Sequence, residues 1–201
     1  MTQFFKFTLS IVLLATLAAC ASPAQKSAMI VEVTPDTVID KESPLLNAVK
    51  ITKVSGGEST NPAWTSEIGN PEFEGALRDS LANHAMLAKS AGRFALTAQI
   101  ISVDQPLFGA SLTVTSKVKY TVIEKSSGKV IFEKEFTTPY TASFSDAFMA
   151  VERLRLANEG TVRENVTIFL RELIASVSGR KKHSLRGGIS MADIRIIGSD
   201  L

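Results

Sequence analysis

The 201-residue chain has little of the equipment that chemistry usually needs. It holds one cysteine, one tryptophan and two histidines, so a disulfide framework or a cysteine-based metal site cannot be assembled within one copy. G-x-S-x-G, H-E-x-x-H, C-x-x-C, the Walker loop and G-x-G-x-x-G are all missing, which removes the common signatures of hydrolases, zinc peptidases, thiol redox proteins and nucleotide binders. Charge of one sign is lacking too. The 22 Lys and Arg against 20 Asp and Glu leave a formal +2, too little to draw the chain onto nucleic acid. Beyond residue 19 no apolar run approaches the roughly 20 residues of a membrane-spanning helix. Internal repeats and low-complexity segments are absent, and no cofactor or metal is expected.

What is present begins with that single cysteine. Lys6 is the one cation before Phe7–Leu17 (FTLSIVLLATL), an apolar run too short to span a bilayer, and Leu17-Ala18-Ala19-Cys20 closes it with small residues. The arrangement resembles the lipobox signals of bacterial lipoproteins, in which the cysteine thiol receives a diacylglyceryl group and its freed amine a further acyl chain such as palmitate. On that resemblance residues 1–19 are a signal peptide and the mature chain starts at Cys20. The alternative is an ordinary secretory signal with a chance cysteine. Ala21 and Ser22 occupy the positions where an Asp would mark inner-membrane retention, which resembles the outer-membrane class, anchored on the periplasmic face. Each buried methylene contributes about 0.8 kcal/mol and a single chain holds only marginally, so two or three chains make such an anchor stable.

Removing the signal leaves 182 residues, enough for one core. Ser22–Ala28 has a linker composition and Pro35 and Pro44 interrupt the stretch up to Asn47, so residues 20–47 read as a lipidated tether with one short strand at Met29–Val33. Residues 48–178 read as the folded domain. Val49–Val54 alternates with period two up to Gly56-Gly57; Asn70-Pro71 then predicts a capped helix whose Phe73, Leu77 and Leu81 share a face, ending at Gly92. Alternation returns at Phe94–Ile100, at Leu112–Val122, and at Val130–Phe136 after a Ser126-Ser127-Gly128 turn, with Lys117 and Lys119 facing Glu133 and Glu135 and the strand ending before Pro139. A helix from about Ser145 to Val177 buries Phe148, Val151, Leu154, Val162, Val166, Phe169, Leu170 and Leu173. Its Arg155, Glu159 and Arg163 form an exposed ladder, and Gly160 implies a bend or break. Residues 179–201 form a basic, then apolar tail. The expected fold is α+β, a two-layer sandwich of strand, helix, three antiparallel strands and a long helix, with both helices on one face of the sheet.

Candidates for chemistry are few. His84 falls on or beside the buried stripe of the first helix, where it is either a packing residue or, with a carboxylate such as Asp79, an acid–base pair. His183 sits in the tail. Glu72 and Glu74 suit the first turn of a helix, and Glu133 and Glu135 a wet strand face. Binding has better candidates. Trp64, in the polar loop TNPAWTS, is either an exposed anchor or a cap on the core edge; Leu107 and Phe108, at the QPLFGA tip, are either contacts or local packing. The run Arg180, Lys181, Lys182 either touches anionic lipid or a polyanionic glycan, or is solvated.

Ser55–Leu81 (SGGESTNPAWTSEIGNPEFEGALRDSL) and Arg153–Leu173 (RLRLANEGTVRENVTIFLREL), with the strands between them, resemble a family of small Gram-negative outer-membrane lipoproteins without an established role. The element order is more loosely similar to the lipopolysaccharide-translocon plug and to auxiliary lipoproteins of ABC-type transport. Members of the first family sometimes carry the label UDP-N-acetylglucosamine acyltransferase; that class resembles a hexapeptide-repeat β-helix around a histidine, and this chain has neither feature. The first reading is a non-enzymatic accessory or binding module in outer-membrane assembly or transport, held by lipid and binding an envelope protein, lipid or glycan, in an oligomeric state that the sequence leaves open. The rival is an envelope enzyme acting on a lipid or glycan precursor.

Overall fold

A computed structural model describes residues 21–61 and 65–187, with side chains through residue 178. In chain order the elements are α1 (Lys26–Met29), β1 (Val49–Ser55), α2 (Asn70–Asn83), β2 (Phe94–Asp104), β3 (Leu112–Glu124), β4 (Lys129–Ala142) and α3 (Ala150–Gly187). The strands form one sheet in the order β1-β2-β3-β4, with β1 parallel to β2 and the other pairs antiparallel. Because side chains alternate along a strand, Leu112, Val114, Ser116, Val118, Tyr120 and Val122 all enter one buried face of β3. Phe73, Leu77 and Leu81 of α2 and Val162, Val166, Phe169 and Leu173 of α3 join Leu96, Val118 and Tyr120 in one core, so both helices cover the same side. The opposite face is wet, and there Lys117 reaches Glu135 at 3.0 Å and Lys119 reaches Glu133 at 3.3 Å. These exposed pairs contribute less than about 1 kcal/mol each.

A seam of buried polar groups joins α3 to the sheet. The Thr138 and Thr161 hydroxyls each donate to the other's carbonyl, and Thr161 Oγ1 also accepts from Ser116 N at 3.1 Å. Asn165 Nδ2 donates to Phe136 O and Thr138 Oγ1, both at 3.0 Å, and Asn165 Oδ1 accepts from Tyr120 Oη at 3.1 Å. Burial pushes the Tyr120 phenol well above its usual range, which keeps it protonated as that donor. Its ring stacks on Phe169 with centroids 4.1 Å apart.

Several local expectations are corrected. The residue that caps α2 is Gly69; the Asn70 side chain instead accepts from Gly57 N at 2.8 Å, closing the loop that enters the helix. The helix stops at Asn83, nine residues before Gly92, because Ala85 turns into the left-handed region (φ 54°) and frees Met86 O to accept from Ala48 N and Val49 N. Strand β4 continues through Pro139 to Ala142, since an edge strand tolerates a residue without an N–H. Helix α3 begins at Ala150, leaving Phe148 outside it, and runs ten residues past Val177 without interruption at Gly160. Glu159, expected in an exposed ladder, is buried.

The largest departure lies before β1. Residues 21–47 are a strap packed across α2 and α3, with Ala24, Met29, Val31 and Leu45 buried. No strand forms at Met29–Val33: Val31 N donates to Ser80 Oγ at 2.9 Å and Val31 O accepts from Asn83 Nδ2 at 3.4 Å, so side chains of α2 take the place of a ladder. Gln25 N donates to Glu159 Oε1 at 2.8 Å, and Arg163 Nη1 to Ala28 O at 2.8 Å. The ladder residues therefore hold the strap.

Gly160 is a packing glycine. A Cβ built there would lie 2.3 Å from a ring carbon of Tyr140. Gly160→Ala should thus destabilise the protein by about 1–3 kcal/mol in urea titrations, although alanine favours helix by about 1 kcal/mol. In a Tyr140→Ala background the same change should stabilise, and an unchanged sign in that background would show that the ring is not the cause.

Candidate binding surface

The strands direct three connections to one end of the molecule. β1 delivers the 56–69 loop, β2 and β3 the 105–111 tip, and β4 the 143–149 turn that enters α3. Arg153, buried in the first turn of α3, ties two of them. Its Nη1 donates to Ala147 O at 2.9 Å and Phe148 O at 2.7 Å, its Nη2 to Gly109 O at 3.1 Å, and its guanidinium lies 5.3 Å from the Phe144 ring centroid. The turn itself is set by Ser143, whose N–H and hydroxyl both donate to Asp146 Oδ2 at 2.7 Å and hold that carboxyl below its usual range.

The third connection is bound through Ser66 and Glu67. Gln105 Nε2 donates to Ser66 O at 3.1 Å and Glu67 Oε2 at 3.0 Å, while Asn158 Nδ2 donates to Ser66 O at 2.7 Å. Ala24 N donates to Glu67 O at 3.0 Å. The start of the strap, the 56–69 loop, the tip and the upper part of α3 therefore share one set of contacts. Ala21 and Pro23 line a cleft of about 390 Å³ with Gly57–Thr60 and Gly69–Glu72.

The surface that results is apolar at its extremity. Leu107 is 93% exposed and Phe108 88%, so the tip does not pack locally. Across Arg153, Phe148 is 77% exposed, Phe144 54% and Met149 42%, and the two rings meet edge to face at 5.3 Å. Sequence periodicity assigns Phe148 to the core because Phe148, Val151 and Leu154 fall at helical spacing. The signal that separates it is Ser143-x-x-Asp146, a turn that delays the helix until Ala150.

The other candidates are dispersed. His84 is buried on the far side of α2, with Nδ1 2.6 Å from Ser80 O and Nε2 2.9 Å from Thr37 Oγ1. Both ring nitrogens are engaged, and Asp79 faces solvent in an ion pair with Lys26 at 2.7 Å. Cys20, Trp64 and the side chains of Arg180, Lys181, Lys182 and His183 lie outside the described residues, although the backbone of 180–183 is helical. Among the described residues no group of His, Cys, Asp and Glu is placed to hold a metal, and no helix is long and apolar enough to cross a membrane.

No family model and no curated protein matches the chain. Among solved structures it is similar to a Xanthomonas campestris protein of the family DUF330, with a TM-score of 0.53 and 13% identity over 81% of this chain and 98% of that one. At that identity the likeness is one of fold. A Caulobacter crescentus protein described as a lipoprotein gives 0.48 and 14% over 68% and 94% of the two chains. A minor lipoprotein from Acinetobacter baumannii gives 0.39 and 12% over 61% and 92%.

If Arg153 is the tie between the tip and the turn, Arg153→Met should leave the sheet intact and loosen these two connections together. Amide exchange should accelerate across 106–112 and 144–149 with little change in β3 or β4. Acceleration confined to one of the two segments would contradict the shared tie.

Proposed function

We propose that the chain is a lipid-anchored lipoprotein of the Gram-negative envelope, seated on the periplasmic face of the outer membrane. There it serves as a non-enzymatic accessory or binding module in assembly or transport. The observation that carries this reading is Leu17-Ala18-Ala19-Cys20 behind a short apolar run, with a residue packed into the fold immediately after it. Ala21 is buried, which suits a protein meant to be held against its anchor. The enzymatic reading needs an accessible imidazole beside a carboxylate. His84, which that reading requires, is buried with both nitrogens occupied, and its carboxylate partner Asp79 bonds Lys26 at the surface.

Cys20→Ala should abolish acyl labelling and release the protein from membranes, while the parent sediments with outer membrane in a density gradient. A variant that still pellets after a salt wash overturns the lipid anchor. His84→Gln, whose amide takes the place of Nε2 beside Thr37 Oγ1, should complement a deletion strain fully once shown to be folded. Loss of complementation by a folded His84→Gln protein restores the enzymatic reading.

A further inference from the structure

The exposed aromatic residues point to a contact beyond the acyl chains. Of the large apolar side chains exposed among the described residues, the aromatic ones are Phe108, Phe144 and Phe148, and all three stand at the end reached by the tip and the turn. Leu107 and Met149 flank them. The wet face of the sheet, by contrast, carries mainly Thr, Lys and Glu along β3 and β4, with Val130 and Pro139 between them.

The strap begins at this same end, where Ala21 lies against Gly57–Thr60 and Gly69–Glu72. Ala24 and Gln105 are both bonded to Glu67, and Gln25 to Glu159, two turns along α3 from Arg153. Cys20 is four residues before Ala24 and Phe108 three after Gln105, spans of at most about 14 Å and 11 Å of chain. A tether of 28 loose residues would let the domain tumble beneath its anchor. A strap bonded along its length does not, so attachment at Cys20 turns this end toward the bilayer.

We infer that the two tips bearing Leu107, Phe108, Phe144, Phe148 and Met149 enter the interfacial layer of the membrane in which the Cys20 acyl chains are embedded. The inference rests on the lipoprotein reading above. Phenylalanine, leucine and methionine partition into that layer, and a second attachment beside the first is effectively intramolecular, so it strengthens anchoring without high intrinsic affinity. The Asp146 carboxylate between the two phenylalanines, satisfied by Ser143, sets the depth at the headgroups. Arg153 holds the two tips together by bonding the backbone of each.

The test uses the full-length protein purified with its lipid and reconstituted in vesicles of phosphatidylethanolamine and phosphatidylglycerol. Cys20 is acylated at sulfur and unreactive, so Leu107→Cys, Phe148→Cys and, at the opposite end, Ser126→Cys each offer one thiol for an environment-sensitive fluorophore. All three positions are exposed, and the substitutions leave the core untouched. The expected result is blue-shifted emission at 107 and 148, quenched by nitroxide-labelled lipids, with water-like, unquenched emission at 126. Water-like emission at 107 and 148 in protein whose mass shows the acyl chains overturns membrane entry while leaving the anchor intact. A blue shift without lipid quenching shows that a second copy covers the tips, and also overturns it. Absence of acyl mass on Cys20 overturns the anchor and this inference together.

Discussion

The position of α3 on the sheet governs the rest of the molecule. Its register is set by the exchange between Thr138 and Thr161 and by Asn165, which satisfies Tyr120, Phe136 and Thr138 at once. A buried seam of this kind adds little net energy per bond, yet a one-turn slip of the helix would leave several donors and acceptors unpaired at about 1–3 kcal/mol each. The apolar stripe alone does not have that precision, because Val162, Val166 and Leu170 could shift by a turn and still face the core. The strap, the loops and the tips all hang from that register. Arg153 ties the tips, Asn158 the Ser66 loop, Glu159 and Arg163 the strap, and Arg171 reaches Asp36 further along it.

The strap obeys the same principle. Its backbone makes no ladder, so its hydrogen bonds go to local turns, to backbone such as Glu67 O, and to side chains of the helices beneath it, where Ser80, Asn83, Glu159 and Arg163 hold it. A linker composition signals irregular backbone. It does not signal detachment, and the buried Ala24, Met29, Val31 and Leu45 show the difference.

Much of the domain was legible from period alone. The burial of alternate residues in β2 and β3, the leucines of α2, the late stripe of α3 and the Lys117 and Lys119 pairs all come from two-residue and 3.6-residue spacing. What was not legible depends on partners distant in sequence. Gly160 reads as a helix defect until Tyr140 is placed against it, Pro139 as a strand stop until β4 is known to be an edge, and Glu159 as solvated until the strap arrives. The candidate surface divides in the same way. Leu107 and Phe108 stand out because turn residues flank them, whereas Phe148 is concealed by an accidental helical phase, and neither Phe144 nor Arg153 carries a signal of its own.

The proposed orientation bears on the basic stretch at the other end of α3. At 1.5 Å per residue, the 28 residues from Arg153 to Lys181 separate the two by about 42 Å along the helix. Surface potentials of a membrane fall off within a Debye length, about 8 Å at physiological ionic strength. With the N-terminal end of α3 at the bilayer, a helix axis directed away from it would carry the backbone at 180–182 several screening lengths from that leaflet. In that orientation lipid of the anchoring leaflet is disfavoured as a partner of this segment, which leaves a polyanionic glycan of the two candidates. The fold thus separates its two candidate contacts by the length of one helix, with the apolar tips near its N-terminal end and the basic stretch near its C-terminal end.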